Sequence, residues 1–231
     1  MTLAARLSAI DERIADAARR AGRDPDEITR IVVTKFHPAQ LVRDLHALGV
    51  RDVGENRQQE MTAKRAELQQ SEGSGYDDLR WHFIGQAQTN KAGAIRRASD
   101  AVHSVDRIRL ADALHRAADD DRVLDVLVQV NLTQDAGRGG TTLADSEALA
   151  EHVLGLGSLR LRGVMAVAPL DEEPAAAFAR LRDVSDGIRR IAPEATWISA
   201  GMTGDFVEAI DAGATHLRIG SAITGPRPDR G

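Results

Sequence analysis

The sequence predicts an α/β fold, a closed (β/α)8 barrel (TIM barrel) preceded by one extra helix. From residue 28 onward, short β-rich segments alternate with longer helical segments, which is the pattern of βαβ units around a parallel sheet. Eight such segments match a closed barrel better than an open doubly wound sheet. The length of 231 residues suits one barrel, so we expect a single domain over residues 1–231.

The first 22 residues predict the extra helix. Apolar residues recur at helical spacing among acids and arginines, at Leu3, Leu7, Ile10 and Ile14. Gly22 is a typical helix-ending residue, and such a helix would pack outside the barrel or across its bottom. At the other end of the chain, residues 226–231 form a polar tail that we expect to be flexible.

Eight β-rich segments define the predicted strands. They are residues 28–35, 51–55, 80–85, 101–105, 125–131, 160–167, 196–202 and 215–221. Two polar stretches, 71–78 and 132–140, contain several glycines and few apolar residues, so we predict mobile loops there. The second follows the carboxyl end of a strand, where it would serve either as a lid or as a plain solvated loop.

The composition excludes several classes of protein. A formal charge of −5 and few aromatic residues (four Phe, two Trp, one Tyr) give little basis for binding nucleic acid. The absence of cysteine excludes disulfides and thiolate chemistry, and no histidine pair has the spacing of a metal-binding motif. With no signal-peptide pattern and no long apolar segment, we expect a cytoplasmic protein that does not enter a membrane.

The first predicted strand ends in Lys35, directly after the apolar run of residues 31–34. In barrels of this kind the chemistry collects at the carboxyl ends of the strands. Partial desolvation there favours the neutral amine, the form of lysine that attacks carbonyl groups. The alternative interpretation is structural, with the side chain extending its charge to solvent.

Glycine and hydroxyl residues cluster where the last two predicted strands end. Gly201, Thr203 and Gly204 belong to the seventh strand end, and Gly220 and Ser221 to the eighth. Barrels bind phosphate here through the N–H groups of Gly-rich turns, although tight turning alone also explains glycines. A reactive lysine on strand one and a phosphate site at strands seven and eight together describe a bound aldehyde phosphate, either pyridoxal phosphate (PLP) or a sugar phosphate.

Eight motifs carry a resemblance to a known family. They are VTKFHP, VGENRQQE, WHFIGQAQTNK, VHSVDR, VQVN, GVMAVAP, GMTGDF and THLRIGSAITG, in this order between residues 33 and 225. With these motifs the sequence resembles the pyridoxal phosphate homeostasis protein family, single-domain relatives of the N-terminal barrel of alanine racemase. The resemblance implies an alanine racemase N-terminal domain-like barrel that binds pyridoxal 5'-phosphate.

The resemblance also implies roles for individual residues. Lys35 would form the Schiff base with the cofactor, Asn56 would line the ring site, and Arg218 would face the pyridine nitrogen. The residues expected around the phosphate are Ser199, Gly201, Thr203, Gly220 and Ser221. Glu55, beside Asn56, would either steer Asn56 or Lys35 by a charge-assisted hydrogen bond or form a plain surface ion pair with Arg57 or another nearby base, and we favour the structural role.

The expected pyridine partner bears on the chemistry. An arginine does not keep the ring nitrogen protonated, which argues against transamination. Racemisation needs a second acid or base, and the only tyrosine, Tyr76, falls in the polar 71–78 stretch. His82 and His103 are strand-end alternatives, although such histidines are more often structural. We therefore expect a PLP carrier in vitamin B6 homeostasis rather than an enzyme.

Three alternatives stay open at this point. The chain would be a PLP-dependent amino-acid racemase of low activity, a lysine-dependent aldolase acting on a sugar phosphate, or an interaction scaffold that responds to the cofactor. The expected partners are the cofactor and apo forms of PLP enzymes. Because the second domain of the racemase is missing, we expect a monomer.

Overall fold

The computed structural model describes residues 1–135 and 137–226, without the side chains of residues 71–74, and within them the strands form a closed parallel barrel. The strands are β1 (Thr29–Val33), β2 (Asp52–Glu55), β3 (Arg80–Phe83), β4 (Ala101–Val105), β5 (Leu124–Gln129), β6 (Leu159–Met165), β7 (Trp197–Ser199) and β8 (His216–Ile219). Each strand pairs with the next, and β8 closes on β1 from Thr29↔His216 to Val32↔Ile219. The predicted barrel is confirmed.

Helices connect the strands and cover the sheet. They are α1 (Leu3–Arg20), α2 (Ala39–Ala47), α3 (Gln58–Glu72), α4 (Ala92–Ala98), α5 (Ile108–Arg116), α6 (Ser146–Leu154), α7 (Pro174–Ile191), α8 (Phe206–Asp211) and α9 (Ser221–Thr224). Short 3-10 helices occupy Pro25–Glu27, Gly73–Tyr76 and Thr89–Lys91. None of the helices in the described ranges is both long and apolar enough to cross a membrane.

The predicted N-terminal helix is present as α1. The Thr2 side chain caps its first turn, and Gly22 follows its last turn with a φ of 70°, a conformation that glycine adopts without strain. Its apolar face packs against α8 and α9, and Arg6 Nε donates to the carbonyl of Ile223 at 2.6 Å. The helix therefore lies on the outer wall of the barrel, beside the last βα units.

Most strands end earlier than the sequence indicated. β1 stops at Val33, so Lys35 lies in the turn after the strand rather than at its last position. β3, β5, β6, β7 and β8 likewise stop short of their predicted carboxyl ends. The residues that follow the strands, such as Thr34, Ala166 and Ala200, are still buried although the backbone has left the sheet. Their small or apolar side chains therefore made the strands look longer in the sequence.

Strand β6 contains a bulge. Val126 pairs with Leu161, but the next residue of β5, Leu127, pairs with Gly163, which leaves Arg162 as the extra residue. Gly163 has a φ of 146°, and a Cβ there would lie 1.9 Å from the carbonyl oxygen of Trp197. Only glycine permits this close approach of β6 to β7.

The two predicted loops have different outcomes. Residues 71–76 are helical, since α3 continues to Glu72 and a 3-10 helix follows, so the prediction of a loop is wrong for this part. The described residues of 132–140 form a loop that the Asn131 amide stabilises, donating to the carbonyls of Asp135 (2.9 Å) and Arg138 (3.2 Å). Residues 227–231 of the predicted tail, like Ala136, lie outside the described residues.

The interior of the barrel is polar. Side chains of β3, β4, β7 and β8 meet across it and are buried there: His82, His103, Ser199, His216 and Arg218. A separate apolar cluster shares the interior and consists of Ala101, Leu127, Met165 and Trp197. The main apolar core lies between the strands and the surrounding helices. Polar groups this deeply buried need hydrogen-bond partners, and these side chains supply them to one another.

Candidate functional site

A cavity of about 340 Å³ opens between the carboxyl ends of β1, β7 and β8. Its lining consists of Val33, Lys35, Phe36, His37, Met202, Thr203, Gly204, Arg218, Gly220, Ser221, Thr224 and Gly225. Five of the eight residues predicted to bind the cofactor are among them, namely Lys35, Thr203, Arg218, Gly220 and Ser221. The fold thus brings the lysine of the turn after β1 and the turns after β7 and β8 to one cavity.

The turn that carries Lys35 is anchored on both sides. Before it, the carbonyl of Thr34 accepts a hydrogen bond from Lys64 Nζ at 2.8 Å. After it, Phe36 has a φ of 69°, unusual for a residue with a side chain, and its N–H donates to Glu60 Oε2 at 3.0 Å. This anchoring orients a half-buried Lys35 toward the cavity, and its Nζ has no hydrogen-bond acceptor among the described residues.

Beneath that turn lies a buried ion pair. Glu55 is completely buried, and its Oε1 accepts hydrogen bonds from Lys64 Nζ at 2.5 Å and Thr34 Oγ1 at 2.6 Å. Burial raises the pKa of Glu55, and Lys64 opposes this effect. An ion pair of Glu55 was predicted, but on the surface; the pair is instead buried and its partner is Lys64, since Arg57 pairs with Glu60. Lys64 was not anticipated because it lies on helix α3.

The far side of the cavity offers unpartnered donors. The hydroxyl groups of Thr203 and Ser221 make no hydrogen bond within the described part of the chain, nor does the N–H of Gly204. A Cβ added at Gly204 would meet no atom within 4 Å, so the turn faces open space. Helix α9 begins at Ser221, and the first N–H groups of a helix have no acceptor inside it. Such a set of donors suits an anion.

Gly201 shapes this turn without reaching the cavity. It has a φ of 91°, and a Cβ there would lie 2.7 Å from the Cβ of Ala209. Its carbonyl accepts the N–H of Arg218 at 3.0 Å, which joins the turn after β7 to β8. Gly201 therefore positions the donors of Thr203 and Gly204 and does not itself line the cavity.

Arg218 forms the inner wall of the cavity. Its Nη1 donates to Ser199 Oγ at 2.7 Å and its Nη2 to the carbonyl of Ala166 at 2.8 Å. Burial lowers the pKa of Arg218 to about 10, which leaves it cationic at neutral pH. Ser199 is not part of the cavity lining but lies behind Arg218 and orients it.

Asn56 follows β2 and is half-buried outside the lining of the cavity. Its Oδ1 is a buried oxygen without a hydrogen-bond donor among the described residues. The backbone of Asn56 is closely packed, since a Cβ at Gly85 would lie 2.0 Å from its carbonyl oxygen. Packing of this kind limits how far Asn56 can move.

The histidines are placed differently from the prediction. His82 and His103 are completely buried within β3 and β4 rather than at strand ends, and burial lowers the pKa of both. His37 does line the cavity and was missed, although its position two residues after Lys35 was a usable signal. Tyr76 is remote from the cavity and packs edge-on against His46 with ring centroids 5.0 Å apart.

Comparisons with known proteins show the family to which this barrel belongs. A family model described as "Alanine racemase, N-terminal domain" matches residues 5–228, which defines the class of barrel. A pyridoxal phosphate homeostasis protein of Mycobacterium tuberculosis is 41% identical over 235 residues, covering 96% of this chain and 91% of the relative. The chain therefore belongs to the pyridoxal phosphate homeostasis protein family.

Solved structures of related proteins have the same fold. PipY of Synechococcus elongatus, 34% identical, covers 97% of this chain and 100% of its own, with a TM-score of 0.85 without PLP and 0.82 with PLP bound. Alanine racemase of Corynebacterium glutamicum has a TM-score of 0.69 at 16% identity, and the match covers 97% of this chain and 62% of the racemase. At that identity the racemase shows only that the barrel is shared.

Proposed function

We propose that this chain binds pyridoxal 5'-phosphate reversibly, as a Schiff base on Lys35, and thereby serves PLP homeostasis. The observation that carries the proposal is one cavity of about 340 Å³ that joins a lysine amine, a buried arginine and a set of unpartnered hydroxyl and N–H donors. Support also comes from family membership and from PipY, a relative solved with PLP bound.

The residues present fit the three polar parts of the cofactor. Lys35 supplies an amine at the cavity, and the unprotonated form of such an amine is the nucleophile that attacks an aldehyde. Thr203, Gly204 and Ser221 supply donors for a phosphate dianion, and the open space at Gly204 lets that anion approach the backbone. Arg218, fixed by two hydrogen bonds, supplies a cationic edge for the pyridine nitrogen.

The side chains around the cavity favour reversible binding of the cofactor over catalysis with it. When bound, PLP supplies an electrophilic aldehyde that condenses with the lysine amine and releases water. Arg218 remains a hydrogen-bond donor at neutral pH and therefore does not give the ring nitrogen a proton. Tyr76, the only tyrosine, lies away from the cavity, which removes the base that the racemase alternative would most readily use.

We further propose that free amines or apo PLP enzymes take the cofactor from this site, in a cytoplasmic monomer formed by one domain. A cavity open to solvent at the mouth of the barrel suits transfer of a small molecule. Light scattering of the pure protein tests the monomer, and reconstitution of an apo PLP enzyme from the loaded protein tests transfer. A dimer, or no transfer beyond spontaneous release, would refute these two statements.

Borohydride reduction followed by peptide mass mapping tests the binding proposal. The sequence contains three lysines, Lys35, Lys64 and Lys91, so the attachment site is resolved among few candidates. We expect a visible absorption band with PLP, loss of the band in Lys35→Ala, and an unchanged band in the matched control Lys91→Ala. A reduced adduct on any other amine, or no band at all, would contradict the proposal.

The same experiment separates the alternatives. Trapping of a sugar phosphate without a PLP band would favour the aldolase. A PLP band together with turnover of alanine enantiomers by the pure protein would favour the racemase.

A further inference from the structure

An unbroken hydrogen-bond chain crosses the barrel interior and ends at the cavity. Asp52 Oδ1 lies 2.9 Å from His82 Nε2, and His82 Nδ1 lies 2.9 Å from His103 Nε2. His103 Nδ1 lies 2.8 Å from Ser199 Oγ, which in turn lies 2.7 Å from Arg218 Nη1. Asp52 begins β2, so the chain runs from the amino end of the barrel to the cavity at the carboxyl end.

The groups at the two ends of this hydrogen-bond chain determine the direction in which its hydrogen bonds are donated. A guanidinium only donates, so Ser199 Oγ accepts from Arg218 and is left to donate its own proton to His103 Nδ1. His103 then carries its single proton on Nε2 and donates to His82 Nδ1. His82 likewise carries its proton on Nε2 and donates to the carboxylate of Asp52. Every hydrogen bond therefore points from the cation toward the carboxylate.

The opposite direction is disfavoured in the native protein. It would place the lone pair of His82 Nε2 against the Asp52 carboxylate, and only an additional proton relieves that repulsion. Both imidazoles are completely buried, which opposes the cationic form. The charged groups around them are Asp52, Asp100, Arg80 and Arg218, with His216 as a third neutral ring.

We propose that Asp52, His82, His103 and Ser199 are positioning residues that hold the Arg218 guanidinium at the cavity through this one directional chain. A side chain held at both Nη atoms presents its remaining edge to the cavity in one orientation. Its effect on PLP rests on the proposed function, whereas the hydrogen-bond chain itself exists without cofactor. Ser199, separated from His103 by 96 residues, transmits the orientation from β4 to β8.

Nitrogen-15 NMR of the histidine rings in the cofactor-free protein tests the chain directly. At neutral pH we expect both His82 and His103 as neutral Nε2–H tautomers. Detection of an Nδ1–H tautomer or an imidazolium at either residue of the native protein would overturn the proposal.

Asp52→Ala removes the acceptor that sets the direction. Without the carboxylate, the reversed arrangement makes the same bonds between His82, His103 and Ser199, so we expect Nδ1–H to appear at both histidines together. Asp52→Glu keeps a carboxylate, which only accepts hydrogen bonds, and should restore the single tautomers, which also controls for misfolding. A change at His82 alone would refute the transmission. As the matched control, Asp112→Ala removes the carboxylate 2.7 Å from surface His152 and should leave both buried rings unchanged.

PLP titrations of the Asp52 variants test whether the hydrogen-bond chain affects the cavity. We expect Asp52→Ala to weaken PLP binding about fivefold, the scale of one hydrogen bond, and Asp52→Glu to bind more nearly as the native protein does. Unchanged binding in Asp52→Ala would refute the positioning role even if the tautomers change. If the native tautomers are as expected but borohydride traps no PLP, the proposed function fails while the hydrogen-bond chain stands.

Discussion

Lys64 and Glu55 form the contact on which the Lys35 turn rests. Both side chains are buried, and Lys64 Nζ also binds the carbonyl of Thr34, the residue before Lys35. Removing one member of a buried ion pair leaves an uncompensated charge without water, which costs far more than the pair contributes. The pair therefore couples the stability of the protein to the geometry of the site.

We expect Lys64→Met to lower the free energy of unfolding by about 3 to 5 kcal/mol, because Glu55 remains buried without its partner. Glu55→Gln should cost less, because the amide oxygen can still accept from Lys64 Nζ, which also keeps its hydrogen bond to the carbonyl of Thr34. In the double variant the loss should be smaller than the sum of the single losses. Urea unfolding of the four proteins measures this coupling.

The exposed pair formed by Arg19 and Asp16 on α1 provides the control, as its atoms are also 2.5 Å apart. Water screens exposed charges, so a cycle on that pair should give no measurable coupling. If the losses of unfolding free energy at Glu55 and Lys64 are additive, the two side chains act independently. That result would contradict the ion pair between them.

At the scale of the elements, the bulge in β6 decides how β6 meets β7. Gly163 is the residue at which the pairing resumes, and its positive φ and its contact with the carbonyl of Trp197 both exclude a side chain. Since β7 spans only Trp197–Ser199, a displacement at Trp197 also reaches Ser199, the residue that orients Arg218.

We expect Gly163→Ala to destabilise the protein by about 2 to 3 kcal/mol, through the strained φ and the clash with the backbone of Trp197. Weaker PLP binding should accompany the loss because Ser199 belongs to the same strand. Thermal or urea unfolding and a PLP titration measure the two effects.

Gly157 is the matched glycine. It lies in the turn before β6, and a Cβ there would meet no atom within 4 Å. Gly157→Ala should leave stability within about 0.5 kcal/mol of the native value. Equal effects of the two alanines would show that the bulge does not constrain the strand.

At the scale of the whole molecule, three buried histidines make folding depend on pH. Burial is the main cause that lowers the pKa of His82, His103 and His216 from the ordinary value of 6.5. Below about pH 6.5 the unfolded chain therefore binds protons that the native barrel does not accept, and the stability falls as the pH falls. Glu55, whose pKa is raised, acts in the opposite sense but is a single group.

We expect the free energy of unfolding to decrease between pH 7.5 and pH 5.5, with a slope bounded by about 1.4 kcal/mol per pH unit for each histidine. Replacing His103 with Gln should reduce this slope, whatever it does to the stability itself. Urea unfolding at several pH values measures the slope.

Ser185 on α7 is buried and does not titrate in this range, so Ser185→Ala provides the control and should leave the slope unchanged. A native slope near zero over this range, or a slope that His103→Gln does not alter, would show that the interior histidines do not link folding to pH.

The sequence by itself determined the order of strands and helices, the extra helix α1, the lysine after β1 and the clusters of glycine and hydroxyl residues after β7 and β8. These features are local, because periodicity, turn residues and strand ends are written within a few neighbouring positions. The parallel βαβ order then directs all carboxyl strand ends to one side, so the common location of Lys35, Thr203 and Ser221 also follows from the sequence.

Only the tertiary structure decided which side chains meet across the barrel. Ser199 and His103 are 96 residues apart, and Lys64 reaches Glu55 and Thr34 from a neighbouring helix. Such contacts depend on strand register, on the bulge at Gly163 and on closure of β8 against β1. None of these features produces a periodic pattern in the sequence from which it could be predicted. For that reason the sequence placed His82 and His103 at strand ends, whereas barrel closure buries them and connects them to Arg218.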